Sequence, residues 1–195
     1  MNIQQRVSEI IRAEAEALAA VSVTPEFERA VLALRDCGGK VLTSGMGKAG
    51  HVARKFASTL CSTGTPASYV HPGEAAHGDL GLVGPDDCIV AFSTSGKTRE
   101  VIEMLELGRH LGLKTVVGIT SHPDSELREL SDIVLDMGII HEPCPHGLTP
   151  TASIVVMMAI SDALALTLME LKGFSRQDFG LRHHGGYLGL RVRDH

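Results

Sequence analysis

The sequence predicts an α/β fold, a parallel β-sheet covered by helices on both faces. Three observations support it: short apolar runs alternate with stretches of helical periodicity, the runs are apolar throughout, and polar or glycine-rich residues follow several of them. Strands that are apolar throughout are typical of a sheet buried on both faces, and intervening helices pair such strands in parallel. With 195 residues, 44% of them hydrophobic, the chain suits one globular domain with a full core.

Five strands are predicted from the apolar runs, at residues 40–44, 67–71, 88–93, 115–120 and 133–135. Between them the apolar spacing predicts helices near residues 48–62, 97–111 and 124–130. Ligands of such sheets bind at the carboxyl ends of the strands. The binding site is therefore expected in the segments that follow the first three strands, residues 44–48, 71–78 and 93–98.

Helices are also predicted outside this alternating core. Charged and apolar residues are interspersed through the first 16 positions, which indicates an amphipathic helix and not a signal peptide. Thr24 and Pro25 form an N-cap and N1 proline pattern that predicts a helix through about Arg35. Thr149-Pro150 repeats the pattern before an apolar helix over residues 151–171, which we expect to be deeply buried or to lie in a subunit interface.

Composition excludes several classes of function. The net charge of −5 and an aromatic content of only 4% argue against nucleic acid as a partner. The four cysteines contain no C-x-x-C pair, so we expect reduced thiols in a cytoplasmic protein. The longest apolar stretch, residues 154–160, is too short to span a bilayer, and no membrane partner is expected.

A loop rich in hydroxyl side chains, STSGKT at residues 93–98, follows the third predicted strand. It contributes Ser93, Thr94, Ser95 and Thr98 where a buried strand ends and a helix begins. Backbone amides at a helix start, together with several hydroxyls, make a good phosphate site. An ordinary helix cap needs only one of these hydroxyls, so both interpretations stay open for this loop alone.

A glycine turn, GMGKAG at residues 45–50, follows the first predicted strand and matches G-x-G-x-x-G. NAD binding is disfavoured, because an acidic residue is expected where the second strand ends at His71. A nucleotide-binding P-loop in the hydroxyl segment is excluded, because Ala91 stands where its first glycine is required. What remains is a turn that brings the backbone at Gly47 and the side chain of Lys48 close to a ligand.

Three further segments carry reactive side chains. In HEPCPH, residues 141–146, the prolines prevent helical spacing of ligands and no second ligand cluster exists, so no metal site is predicted. Glu142 is instead either a positioned carboxylate or a solvated loop residue. HPGEAAHGD, residues 71–79, is better explained by substrate contact than by a plain surface loop. RHHGG, residues 182–186, offers a histidine acid or base, or else is an exposed tail.

Together these segments resemble the sugar isomerase (SIS) family of phosphosugar-binding domains, and within it the arabinose 5-phosphate isomerases of the Kdo pathway. The resemblance covers residues 40–190 in order. It rests on GMGKAGH (45–51), STGTP (62–66), HPGEAAHGDLG (71–81), STSG (93–96), EPCP (142–145), GLTPT (147–151) and GF (173–174).

The resemblance implies a three-layer α/β/α sandwich with a five-stranded parallel sheet, a homotetramer, and interconversion of D-arabinose 5-phosphate with D-ribulose 5-phosphate for Kdo or polysaccharide synthesis. One domain is expected, with N-terminal helices at residues 1–37, a core at 38–174 and an active-site tail at 175–195. No cofactor is expected, because the proton moves between two carbons through an enediol.

The family's catalytic set matches Lys48, Glu100, Glu142 and His183. Its phosphate site matches Ser93, Thr94, Ser95 and Thr98, and Gly47 and His77 are expected as further substrate contacts. Lys48 would stabilise the developing oxyanion, either glutamate could carry the carbon-bound proton, and His183 would assist ring opening or move hydroxyl protons.

The chain departs from the family pattern in three places. Lys97 stands where an acidic residue is common. The family's H-P-G-G ending is HHGG at residues 183–186, so that either His183 or His184 could act. We also expect the family's usual tandem CBS domains to be absent. Two alternatives remain. One is an isomerase of a hexulose or heptulose phosphate. The other is a non-catalytic sugar-phosphate sensor. It ranks lower because all four catalytic residue types are present and because we expect no DNA-binding segment before the domain.

Overall fold

The computed structural model describes residues 1–183 and residue 185. Its centre is a sheet of β1 (Val41–Gly45), β2 (Ala67–Tyr69), β3 (Cys88–Phe92), β4 (Thr115–Thr120) and β5 (Ile133–Asp136). The strands are ordered β2-β1-β3-β4-β5, and every neighbouring pair is parallel. This confirms the predicted α/β fold and its five-stranded parallel sheet.

Helices connect the strands and flank the sheet. They are α1 (Ile3–Ala19), α2 (Pro25–Arg35), α3 (Gly47–Ser62), α4 (Pro72–Ala75), α5 (Arg99–His110), α6 (Glu126–Leu130), α7 (Ala152–Leu171) and α8 (Arg176–Arg182). A short 3₁₀ turn occupies Asp79–Leu82.

The side chains of β3 alternate between two core layers. Cys88, Val90 and Phe92 pack with residues of α2, α3 and α7, whereas Ile89 and Ala91 pack with residues of α4, α5 and α6. All five are buried. Because helices cover both faces, the strand is apolar at every position, and the layers form the expected α/β/α sandwich.

The 20-residue helix α7 is long and apolar enough, by length and composition, to cross a bilayer. Half of its most apolar window is nevertheless buried, and it packs against α1, α2 and α3. Asp162, within the helix, also pairs with Lys55 of α3. These contacts are those of a helix in a folded core.

The helix starts differ in detail from the predictions. The helix predicted over residues 151–171 is confirmed as Ala152–Leu171, but its N-cap is Thr151 and not Thr149. The Glu142 carboxylate binds its first amides. The helix after β3 begins at Arg99, since Thr98 is its extended N-cap. The short helices α4 and α8 are not among the predicted helices.

Candidate active site

Two loops meet at the carboxyl edge of the sheet. The last residues of β1 and β3, Gly45 and Phe92, pair in register. The glycine turn (residues 45–48) leaves β1 there, and the hydroxyl loop (residues 93–98) leaves β3. Because β2 and β3 lie on opposite sides of β1, this is the point where an open α/β sheet binds its ligands.

Hydrogen bonds within the hydroxyl loop fix its shape. The Ser93 and Thr98 hydroxyls lie 2.8 Å apart and bond to each other. Ser93 Oγ also accepts from the Gly96 amide at 3.0 Å, and Ser95 Oγ accepts from the Lys97 amide at 3.2 Å. Since Thr98 makes no side-chain cap within the described residues, the first amides of α5 keep their capacity for an anion.

The hydroxyl loop is also fixed to the next strand. The carbonyl oxygen of Thr94 accepts from the Ser121 amide at 3.1 Å and from the Thr120 hydroxyl at 3.2 Å. Gly96 has φ +63°, and a Cβ there would lie 2.2 Å from Ser125 Oγ. Only glycine fits this position without strain, so the loop is a rigid platform built on β3 and β4.

The glycine turn presents Gly47 and Lys48 as the first two residues of α3, both exposed. Tyr69 braces the turn, because its hydroxyl donates to the Gly45 carbonyl at 2.9 Å. The Arg54 guanidinium lies 3.9 Å from the centre of the Tyr69 ring. Lys48 therefore projects from a braced turn beside the hydroxyl loop, in keeping with a ligand-binding lysine.

Glu142 lies in the capping loop (residues 141–150) and closes the start of α7. Its Oε2 accepts from the amides of Thr151 and Ala152, both at 2.8 Å. Its Oε1 accepts from the Ser153 amide at 3.2 Å and the Ser153 hydroxyl at 2.5 Å. Partial burial alone would raise the pKa of Glu142, but these donors outweigh it and lower the pKa below its ordinary value. Glu142 is thus a positioned anion.

The pairing of α3 with α7 places Glu142 at the same end of the molecule as Lys48. Lys55 pairs with Asp162, and Lys172 Nζ donates to Thr65 Oγ1 at 3.0 Å. The first contact joins the two helices and the second joins the residues that follow them. Both pairs lie 107 positions apart, so the two helices run parallel and keep one register. On that register, Lys48 lies level with the first turn of α7, which the Glu142 carboxylate caps.

Glu100 and His77 also follow strands at this edge. Glu100 is exposed in the first turn of α5, two residues after the hydroxyl loop. His77 is exposed between α4 and the 3₁₀ turn, after β2, and its amide donates to the Glu74 carbonyl at 2.9 Å. Both side chains are therefore open to a ligand at the carboxyl edge.

His183 is held elsewhere by the C-terminal helix. Its ring stacks on Phe179 with centroids 3.8 Å apart, and Nδ1 lies 2.9 Å from the Phe179 carbonyl oxygen. The helix follows Phe174, whose ring packs over Gly64. Gly64 precedes β2, at the amino edge of the sheet. Among the described contacts, none joins His183 to the other candidates of the same chain; His184 lies outside the described residues.

The structure adds residues that the sequence patterns do not single out. Ser153 is fully buried, but in the sequence it is only one more residue of an apolar helix. Tyr69 likewise shows no more in the sequence than a residue of a strand. The S-x-x-D spacing of Ser175 and Asp178 is a recognisable capping box and could have predicted α8. Within the described part of the chain, no group of three or more His, Cys, Asp or Glu side chains could hold a metal.

Comparison with known proteins identifies the family. The family model that matches is the SIS domain, over residues 33–167. The chain belongs to the SIS domain family. The matched span of this SIS domain includes the glycine turn, the hydroxyl loop and Glu142, but neither α1 nor His183.

Individual relatives are similar over most of this SIS domain. It is 40% identical over 200 residues to the arabinose 5-phosphate isomerase KdsD of Yersinia pestis, covering 100% of this chain and 61% of that protein. The domain thus spans about three-fifths of the length of the curated relatives it matches.

Two solved structures are also similar. A Bacteroides fragilis protein, assigned as a phosphosugar isomerase involved in capsule formation, has a TM-score of 0.92 and 41% identity, covering 95% of this chain and 100% of that chain. An E. coli CFT073 protein in complex with arabinose 5-phosphate has a TM-score of 0.89 and 38% identity, covering 94% of this chain and 100% of that chain.

Proposed function

We propose that this SIS domain interconverts D-arabinose 5-phosphate and D-ribulose 5-phosphate. The observation that supports the proposal is a hydroxyl-rich loop that leaves β3 next to the glycine turn carrying Lys48, with Glu100 two residues beyond the loop and Glu142 at the start of α7. The names of the relatives support the choice of substrate, since arabinose 5-phosphate isomerases match the whole chain at about 40% identity.

The hydroxyl loop would hold the substrate's phosphate. Thr94 and Ser95 are partly exposed, whereas Ser93 is only 3% exposed and bonds to Thr98. Thr94, Ser95 and the amides of α5 are therefore the direct donors, and Ser93 and Thr98 shape the loop. Phosphate binding at this point orients the sugar for the proton transfer without taking part in it.

Proton transfer between C1 and C2 would then use a carboxylate and a cation. A base removes the proton from C2 of the open aldose, the carbonyl oxygen on C1 gains a proton to give the enediol, and the ketose forms when C1 receives a proton and the C2 oxygen loses one. Lys48 stabilises the negative oxygen in both directions. Gly47 allows the backbone to approach the sugar, and His77 is placed to exchange hydroxyl protons.

Glu100 is the better candidate for the carbon base. The Glu142 carboxylate already accepts four hydrogen bonds shorter than 3.3 Å, and its lowered pKa makes it a weak proton acceptor. Glu100 is exposed and adjoins the hydroxyl loop. We therefore assign proton transfer to Glu100, and to Glu142 the role of a fixed negative charge facing Lys48.

A catalytic role for His183 would require a second copy of the chain. Its helix is anchored near Gly64, whereas the other candidates lie at the opposite edge of the sheet. The helix α1 leaves Ile3, Val7 and Ile11 exposed, an apolar strip suited to assembly. We propose a homotetramer in the cytoplasm, in which His183 of one subunit completes the site of another. The product would supply the synthesis of Kdo or a related polysaccharide precursor.

The decisive experiment offers the purified protein a panel of sugar phosphates and follows the products by NMR. Turnover of D-arabinose 5-phosphate and D-ribulose 5-phosphate is expected. Turnover of a hexulose or heptulose phosphate alone would replace this substrate assignment, and binding without turnover would favour a sensor.

Two substitutions test the roles within that assay. Glu100→Gln and His183→Ala should each lower kcat by about 10²–10⁴-fold in a folded protein. Glu106→Gln, an equally exposed change on the same helix, should leave kcat unchanged. Retention of wild-type kcat by Glu100→Gln would return the role of base to Glu142.

A further inference from the structure

A hydrogen bond from the N-terminal helix reaches the capping loop. Nη2 of Arg6, in α1, donates to the carbonyl oxygen of Pro143, 137 residues away in sequence. Glu9 steadies the arginine from the next turn of the helix, with 3.3 Å between Nη1 and Oε2. Since α1 packs along α7, the bond ties the loop to α1 as well as to α7, whose start Glu142 caps.

The capping loop depends unusually on outside donors. Pro143 and Pro145 have no amide hydrogen, so this stretch can form few backbone hydrogen bonds of its own. Glu142 is fixed on one side by the start of α7, and Pro143, the next residue, is fixed on the other side by Arg6. The two attachments lie on adjacent residues and come from different helices.

We propose that Arg6 is a positioning residue for the isomerase site, which holds the capping loop so that Glu142 keeps its place opposite Lys48. The proposal rests on the proposed function for its catalytic consequence, but the loop itself provides a separate test. Arg6 acts through the Pro143 carbonyl and touches no reacting group. It lies outside residues 33–167, the span that matches the SIS domain.

Cys144 is a built-in reporter of the loop's shape. Its Sγ accepts from the amides of Leu148 at 3.1 Å and Thr149 at 3.2 Å. The Thr149 bond, with help from neighbouring amides, lowers the pKa of this thiol to about 7. These bonds exist only while the loop keeps its fold, so the pH dependence of Cys144 alkylation measures the fold of the loop without any turnover.

The test compares Arg6→Ala and Arg6→Lys with Arg12→Ala. Arg12 lies on the same helix and makes no hydrogen bond or ion pair within residues 1–183. Each protein is alkylated with iodoacetamide over pH 6–9, and each cysteine is read separately by peptide mass spectrometry. For Arg6→Ala we expect the Cys144 midpoint to move upward from about 7, and kcat to fall about tenfold with little change in KM. Arg6→Lys keeps a donor and should recover part of both.

An unchanged Cys144 midpoint in Arg6→Ala, or an equal shift in Arg12→Ala, would overturn the proposal. Thermal melts identify any variant that fails to fold. If Arg6→Ala fails to fold, the Cys144 midpoint and kcat are measured for Arg6→Lys instead, with smaller changes expected in both. If the wild-type protein turns over no sugar phosphate, the proposed function fails alone. A shift of the Cys144 midpoint confined to the Arg6 variants would still support the proposal that Arg6 holds the capping loop in place.

Discussion

The hydroxyl loop and the capping loop lie at the same end of the molecule but are held by different means. Hydrogen bonds from β4 and from its own side chains fix the hydroxyl loop, which continues directly from a central strand. The capping loop lies beyond the sheet and is held by a helix start and a distant arginine. The hydroxyl loop therefore belongs to the rigid sheet, whereas the position of Glu142 depends on how the helices pack.

Matched glycine substitutions should give the largest difference between the loops. Gly96 and Gly147 both have φ +63°, but a Cβ meets Ser125 Oγ at 2.2 Å in the first case and nothing within 4 Å in the second. Gly147→Ala should cost about 1–2 kcal/mol of unfolding free energy from backbone strain. Gly96→Ala adds overpacking and should cost about 2–5 kcal/mol. Urea unfolding curves measure both.

Phosphate binding should separate the same two variants. Inorganic phosphate, followed by calorimetry, should bind Gly147→Ala as it binds the wild-type protein and should bind Gly96→Ala much more weakly. Equal unfolding free energies for the two variants would mean that the hydroxyl loop is no more rigid than the capping loop, which would contradict the difference described above.

Replacing Glu142 by glutamine should have the next largest effect, and one that depends on pH. The amide leaves the α7 amides with a weaker acceptor, so the free energy of unfolding should fall by about 1–3 kcal/mol at pH 7. Since folding lowers the pKa of Glu142, its stabilisation is complete above the ordinary value of 4.5 and is lost as pH falls through the lowered pKa. The difference between the two proteins should therefore shrink towards pH 3.

Unfolding curves at pH 7, 5, 4 and 3 supply this measurement. The matched control is Glu129→Gln, an exposed glutamate of α6, which should show no comparable dependence on pH. A difference between wild type and Glu142→Gln that is constant from pH 7 to pH 3 would contradict the charged cap.

Lys97→Ala should have the smallest effect. The side chain is exposed within the hydroxyl loop, so it can attract the phosphate only through solvent. We expect KM for the sugar phosphate to rise about two- to fivefold at low salt, and the difference to vanish near 1 M salt. Lys114→Ala makes the same change of charge beside the start of β4, at the amino edge, and should leave KM unchanged. An equal rise of KM in Lys114→Ala would mean that Lys97 acts only through the net charge of the protein.

The sheet could be predicted from the sequence because burial on both faces leaves a direct mark in composition. A strand such as Cys88–Phe92 is apolar at every position and ends at a hydroxyl-rich turn, so both its bounds and its place at the ligand edge follow from local residues. The helix starts are less predictable. Thr151 follows a proline pattern that suggests an earlier start, and a carboxylate nine residues away sets the actual one.

The candidate site likewise has one part that local sequence patterns predict and one part that they do not. The contributions of residues 45–48 and 93–98 follow from strand ends and could be predicted from the sequence. The Arg6–Pro143 bond spans 137 residues and the Ser153 hydroxyl lies in an apolar helix, so no local pattern reveals either partner. For His183, the chain positions its helix by packing Phe174 over Gly64, a contact between residues far apart in sequence.

The constant register between α3 and α7 limits where the chain can gain or lose residues. One residue inserted between Ser153 and Asp162 would turn the start of α7 by about 100° and move it by about 1.5 Å relative to α3. The proposed placement of Glu142 opposite Lys48 would then be lost. An insertion beside Ile139, which is 82% exposed in the connection from β5, would be absorbed before the capping loop begins. Changes in length should therefore be tolerated in that connection, whereas a change in the number of residues separating Ser153 from Asp162 should lower activity.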